Sequence, residues 1–152
     1  MRRLLLPRGI AALLLTMLAG CSLMTPPPTI KAITSATLLD THWRLTRLGG
    51  QIIENPVGAN AVHVSLQSQN TSVTGNSGCN RMFGRYALEN DMLKFDGLGG
   101  TKMFCEARMD LEQKFTNALM SVMRWKITGT TLELLDERGA AVATFEASSA
   151  TG

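Results

Sequence analysis

The sequence predicts a mainly β (α+β) domain, a small antiparallel sheet curled into an open barrel with one helix packed against it. Three observations predict this. Residues 61–66 alternate, with Val62, Val64 and Leu66 on one side and His63 and Ser65 on the other, the period of a half-buried strand. Residues 106–121 carry the one convincing helical stripe, in which Leu111, Phe115, Ala118, Leu119 and Val122 recur on one side of the cylinder. Short strand-like runs separated by Gly, Asn and Asp turns stand both before and after that helix. The order strands, helix, strands suits a sheet that needs one helix to cover it.

The chain has 152 residues, 45% hydrophobic and 18% charged, a globular composition that allows a single domain. Its N-terminus reads as a targeting segment. Arg2, Arg3 and Arg8 form a positive region, and residues 10–18 form an apolar run too short to span a bilayer. Leu18-Ala19-Gly20-Cys21 then resembles a bacterial lipobox, with two small residues at the cleavage site and the Cys21 thiol as the lipidated nucleophile. Residues 1–20 are thus expected to be a lipoprotein signal peptide, and Cys21 to be acylated. Two or three acyl chains would hold the chain to a membrane, whereas one binds only marginally. Ser22 follows Cys21, and by resemblance to Gram-negative lipoproteins the lack of aspartate there implies sorting to the outer membrane.

Removing the three N-terminal arginines leaves 15 − 3 = 12 basic residues against 12 acidic ones. A near-neutral mature chain argues against nucleic acid as a partner. Residues 21–38 read as a lipidated, proline-rich tether, because Pro26, Pro27 and Pro28 favour an extended spacer.

The folded domain is expected over residues 39–147. A first strand holds Trp43, Leu45 and Leu48, broken by Gly49-Gly50. A loop follows at Asn55-Pro56 and Gly58, then the alternating strand, a turn at 68–70 and a β-branched strand at 71–74. Residues 75–86, reading GNSGCNRMFGRY, look like one turn-rich segment whose glycines permit left-handed backbone. Residues 85–88 and 92–95 form a hairpin about Glu89-Asn90-Asp91, with Leu93 and Phe95 on one face. Gly97, Gly99 and Gly100 open a loop towards TKMFC at 101–105. After the helix, strands are expected at 125–128, 131–135 with Leu132 and Leu134 inward, and 141–145, leaving 148–152 as a frayed tail.

Once Cys21 is lipidated, Cys79 and Cys105 are the remaining cysteines, and two cysteines in an oxidising compartment most often pair. Such a bridge would tie the glycine-rich stretch to the start of the helix. A redox or metal role is the weaker reading, since the pair is not CxxC and neither His42 nor His63 lies near it in sequence. His63 reads as solvated, and Asn80 as a turn residue bonding its local backbone. The glycines precede a strand, whereas phosphate loops lead into a helix. The methionines around the helix (Met103, Met109, Met120, Met123) read as core filling before they read as a copper or ligand site. No catalytic residue, metal site or cofactor is assigned.

Gly78-Cys79-Asn80-Arg81, Phe83-Gly84-Arg85-Tyr86, Leu93 and Phe95, Thr101-Lys102-Met103 with Cys105, and a helix bearing Glu112 and Leu119 together resemble the META domain family, which includes HslJ-like heat-shock lipoproteins. The motif residues are Gly78, Cys79, Asn80, Gly84, Tyr86, Thr101, Met103 and Cys105. Met82 stands where an aromatic is common and Phe104 where a small residue is common. The resemblance implies a small β-rich domain with no established catalytic residues, associated with heat shock and novobiocin resistance. It also implies a fold similar to a secretin-pilot lipoprotein. The expectation is a non-enzymatic, periplasm-facing outer-membrane lipoprotein. It would bind an envelope protein or an apolar ligand and contribute to stress tolerance. The alternatives are a pilot-like chaperone of an outer-membrane secretin and a redox protein using Cys79 and Cys105.

Overall fold

The computed structural model describes residues 35–55 and 61–148. The expected signal peptide, Cys21, most of the tether, the Pro56–Gly58 loop and the chain beyond residue 148 lie outside the described residues. Among the described residues, nine strands and one helix follow one another as β1 (His42–Leu48), β2 (Gln51–Ile52), β3 (His63–Leu66), β4 (Ser72–Asn76), β5 (Arg81–Glu89), β6 (Met92–Gly100), α1 (Met109–Met120), β7 (Arg124–Thr128), β8 (Thr131–Leu135) and β9 (Ala141–Ser148). A 3-10 turn, Glu106–Arg108, leads into α1.

All pairings between strands are antiparallel, in the order β2-β1-β3-β4-β5-β6-β7-β8-β9. Because β1 also pairs along its length with β9, the sheet curls round in a ring. Its slackest seam is between β6 and β7, where only Met92 and Arg124 are partners. The alternation read from sequence holds: Trp43, Leu45, Val62, Val64, Leu66, Val73, Leu93, Leu132, Leu134 and Phe145 are all fully buried on the concave side.

Helix α1 packs on that concave side against β6, β9 and β1. Phe115 and Leu119 are completely buried, Val122 nearly so, and the Phe115 ring meets Phe145 edge-on with centroids 6.2 Å apart. The expected stripe is therefore a core stripe, with Leu111 and Ala118 at its partly buried margin. The segment leading into β1 lies across the start of that strand. Ala36 N donates to Gly129 O (2.9 Å), Leu39 bridges Leu66, and the indole of Trp43 donates to Leu38 O (2.9 Å).

Several glycines are placed differently from expectation. Gly75 and Gly84 lie in β4 and β5, and Gly97, Gly99 and Gly100 lie in β6, so the turn between β4 and β5 shrinks to Ser77–Asn80. Of the first pair, neither needs positive φ; both are required by close approach. A Cβ on Gly75 would stand 2.1 Å from the carbonyl oxygen of His63 across the β3–β4 ladder. One on Gly84 would strike Leu98 at 2.8 Å. Gly97 (φ 57°) sits where the β5–β6 register shifts, giving a bulge with left-handed backbone. Gly49 and Gly50 do turn with positive φ, but they return the chain into β2, which is too short for a sequence pattern to reveal. The last strand continues to Ser148, opposite His42.

Candidate functional site

The turn between β4 and β5 and the segment after β6 meet at the start of α1. Cys79 and Cys105 have their Cα atoms 5.9 Å apart and their sulfurs at bonding distance, spanning 26 residues. Gly78 takes φ 119°, a conformation closed to ordinary side chains, and faces Val62, Leu111 and Arg108. The Asn76 side chain closes the local turn, its Oδ1 accepting from Gly78 N (2.7 Å), while Asn80 closes it only with its backbone carbonyl, which accepts from Ser77 N (2.8 Å) and Ser77 Oγ (3.0 Å).

Asn80 is the hub of the region, and its side-chain bonds are long-range. It is 2% exposed. Its Oδ1 accepts from Thr101 Oγ1 and from Met103 N, both at 2.7 Å. Its Nδ2 donates to Met103 O (3.1 Å) and to the two carboxylate oxygens of Glu112 (3.1 and 3.0 Å). Thr101 Oγ1 in turn accepts from Arg81 N (3.2 Å). A neutral amide is the one side chain that can offer two acceptor and two donor positions here, and all are satisfied. Glu112 is thereby a member of the site, although sequence reasoning placed it only within the overall resemblance. Its signal was position, in the first turn of α1, where a carboxylate suits the helix dipole.

Of the motif residues, Gly78, Cys79, Asn80, Thr101, Met103 and Cys105 come together; Gly84 and Tyr86 do not join them. Gly84 packs on Leu98 along β5. Tyr86 is buried, and its hydroxyl donates to Gln67 O (2.8 Å) at the turn between β3 and β4. Burial, with a smaller contribution from Asp40, raises its pKa above the usual phenol value. The cluster is a brace by construction: a covalent bridge and a saturated amide join three segments. It holds out the side chains of Met103 and Phe104, which are 62% and 81% exposed. Met109 and Met120 are also exposed, so the methionines expected to fill the core instead lie largely at the surface.

Beside this brace runs a groove of about 870 Å³ that sequence could not reveal, because it is assembled from three distant segments. One wall is the outer margin of α1 (Ala107, Asp110, Leu111, Lys114, Asn117, Ala118, Ser121). The others are the β1–β2 hairpin (Leu48, Gly49, Gln51, Ile53) and the β8–β9 turn (Asp136, Arg138, Ala140, Ala141, Val142). Leu48, Ile53, Leu111, Ala118 and Val142 supply apolar surface. Two ion pairs stand among the lining residues, the exposed pair Lys114–Asp110 (2.6 Å) and Arg138–Asp136 (3.4 Å), whose aspartate is half-buried. The Asp136 carboxylate also accepts the N–H groups of Ala140 and Arg138, which together with the guanidinium hold its pKa below the usual value. A pocket of this size and mixed lining suits ligand or peptide binding. Among the described residues there is no cluster of three or more His, Cys, Asp or Glu arranged for a metal. No helix among them is long and apolar enough to cross a membrane.

Comparison with known proteins agrees with this architecture. An NMR structure of a protein from Burkholderia xenovorans is 29% identical and superposes with a TM-score of 0.59, covering 74% of this chain and 84% of that one. A second NMR structure is 22% identical with a TM-score of 0.56, covering 73% and 94%, and shares the fold. No curated protein matches the chain. The META domain family model matches residues 36–149, which contain every strand, the helix and the Asn80 brace. The chain belongs to the META domain family.

Proposed function

We propose that this protein is a non-enzymatic lipoprotein of the outer membrane that faces the periplasm, and that its groove over α1 binds an envelope protein or apolar ligand under envelope stress. The carrying observation is the separation of core from groove. Phe115, Leu119 and Val122 fill the inside of the curled sheet, while Leu111 and Ala118 of the same helix line an open groove of about 870 Å³. The same helix therefore serves both, its buried stripe filling the core and its margin, Leu111 and Ala118, lining the groove. The lipobox at Cys21 supports the anchor, and membership of the META family supports the link to stress tolerance. The cysteine pair supports a structural role, since both of its flanking segments are also tied to Asn80.

The test has two arms. Labelling with a tagged fatty acid should acylate the wild type and not Cys21→Ala. A photo-crosslinking residue at Asn117, in the groove, should give discrete adducts in intact cells, whereas one at Thr74, exposed on the opposite side of the sheet from the core, should not. Label on Cys21→Ala contradicts the anchor; equal crosslinking at both positions contradicts the groove.

A further inference from the structure

His42 and His63 are distant in the chain and meet where β1 pairs with β3. That seam is short. Its partners are Trp43–Val64 and Arg44–His63, extended by Leu45 N, which donates to Val62 O (2.9 Å). Trp43 and Val64 point into the core, so the histidines, one step away on each strand, stand on the convex face. There the two imidazoles stack across the seam, with ring centroids 4.2 Å apart and planes 29° from parallel. Both residues are half-buried.

Each ring is held at Nδ1. His63 Nδ1 lies 2.8 Å from Ala61 O, and His42 Nδ1 lies 2.8 Å from Ser148 Oγ on β9. The carbonyl accepts an N–H, and the hydroxyl can donate or accept, so both contacts survive protonation of the rings. What protonation changes is charge, and two imidazolium rings at stacking distance repel. The groups around the pair do not offset that repulsion. Arg44 of β1, opposite His63, is itself a cation, and Glu146 of β9, opposite Arg44, accepts from Thr130 and Thr131. Ser65 of β3 stands opposite Thr74 of β4. His63 stands opposite Asn76 of β4, whose side chain is turned to Gly78, and beyond Asn76 is Arg81 of β5. Asp40, in the segment before β1, accepts from Ser68 N. Among the described residues, no carboxylate forms an ion pair with either imidazole. Burial, and after it the neighbouring ring, hold the pKa of His42 below the ordinary imidazole value.

We propose that the His42–His63 stack is an acid-sensitive latch on the β1–β3 seam, closed while at least one ring is neutral and forced open when both are protonated. The sign follows from linkage. Well above the ordinary imidazole value of about 6.5, His42 is neutral in the folded and the unfolded chain, and the seam has its full stability. As pH falls through that value the unfolded chain takes up its proton first, so stability is lost down to the lower, folded pKa. The latched seam also bears on the groove. Asn55 Nδ2 donates across it to Leu45 O (3.0 Å) and Val62 O (2.8 Å), and Leu48 and Ile53, at either end of the hairpin that leads to Asn55, form one wall of the groove. Opening the latch loosens that wall. The latch itself uses no contact with anything bound in the groove, so it stands or falls independently of what binds there.

The experiment uses the mature lipidated protein in neutral detergent, taken from about pH 8 to about pH 5, the range in which imidazoles titrate. NMR of the imidazole C–H groups follows each ring. His42 should titrate below the ordinary value. His63→Gln removes the neighbouring charge and keeps a polar side chain, and it should raise the His42 midpoint towards that value. Amide exchange, corrected for its intrinsic pH dependence, reads the seam. Leu45 N–H should lose protection in acid relative to amides of the β8–β9 ladder, and this loss should shrink in the double variant His42→Gln, His63→Gln. If the double variant does not fold at neutral pH, the wild-type and His63→Gln titrations decide. A His42 midpoint at the ordinary value, a midpoint unmoved by His63→Gln, or Leu45 protection that responds to acid equally in the double variant would overturn the latch.

Discussion

Asn80 shows how a single side chain can set the geometry of a whole region. It was legible as a turn residue, because asparagine so often bonds its own backbone, but its four positions are spent on Thr101, Met103 and Glu112. Asn80→Ala leaves these groups without their partner and should destabilise the domain by about 1–3 kcal/mol, the cost typical of orphaned polar groups. Urea denaturation checks the value, and a variant as stable as wild type would show that water replaces the amide freely. Asp136 gives a prediction in pH. Its folded-state pKa lies below the ordinary value because backbone N–H groups and Arg138 favour the carboxylate. Its contribution is therefore present above the unfolded-state pKa and is lost as pH falls through the lower, folded one. Unfolding midpoints measured from pH 5 downwards should decline less steeply in Asp136→Asn than in wild type. The glycines teach the opposite lesson from Asn80. Gly75 and Gly84 were read as turn formers because glycine most often signals positive φ, yet what excludes a side chain there is a neighbouring strand or Leu98. That contact exists only once the register is known.

At the scale of elements, the most legible parts were those whose signal is periodic. The alternation of Val62, Val64 and Leu66 gave β3, and the helical stripe gave α1 with Phe115 at its centre. Phe115→Ala removes a wholly buried ring and should cost about 3–5 kcal/mol. Thermal and chemical unfolding would check this, and a cost well under that range would mean that the space beneath the helix is open. The Cys79–Cys105 bridge was legible from the cysteine count, and its neighbours add a reason for its place. It joins the turn before β5 to the residue preceding the 3-10 turn, two segments also joined by Asn80. Cys79→Ser should destabilise by about 2–5 kcal/mol, in line with loss of a native bridge. Two free thiols in the native protein would contradict the bridge itself. The two-residue β2 carried no readable pattern, and the His42–His63 stack could not be read because cross-strand register is absent from a single sequence.

At the scale of the molecule, the curled sheet with one helix was foreseeable from the order of its elements, because neither a half-apolar sheet nor an isolated amphipathic helix is stable uncovered. The groove was not foreseeable. Its apolar surface comes from side chains far apart in the chain, and only the approach of the β1–β2 hairpin and the β8–β9 turn to α1 makes it a cavity. The closed core and open groove share one helix, so they can be perturbed separately. Asn117 is exposed and lines the groove without reaching the core. Asn117→Trp should therefore occupy the groove while leaving stability near wild type. The most direct test of the account is complementation of a strain lacking this protein, challenged with heat and novobiocin, by the wild type and by Asn117→Trp. The account predicts that Asn117→Trp is folded, lipidated and equally abundant, yet protects no better than the empty vector. Protection equal to wild type by that variant would contradict the claim that the groove carries the function.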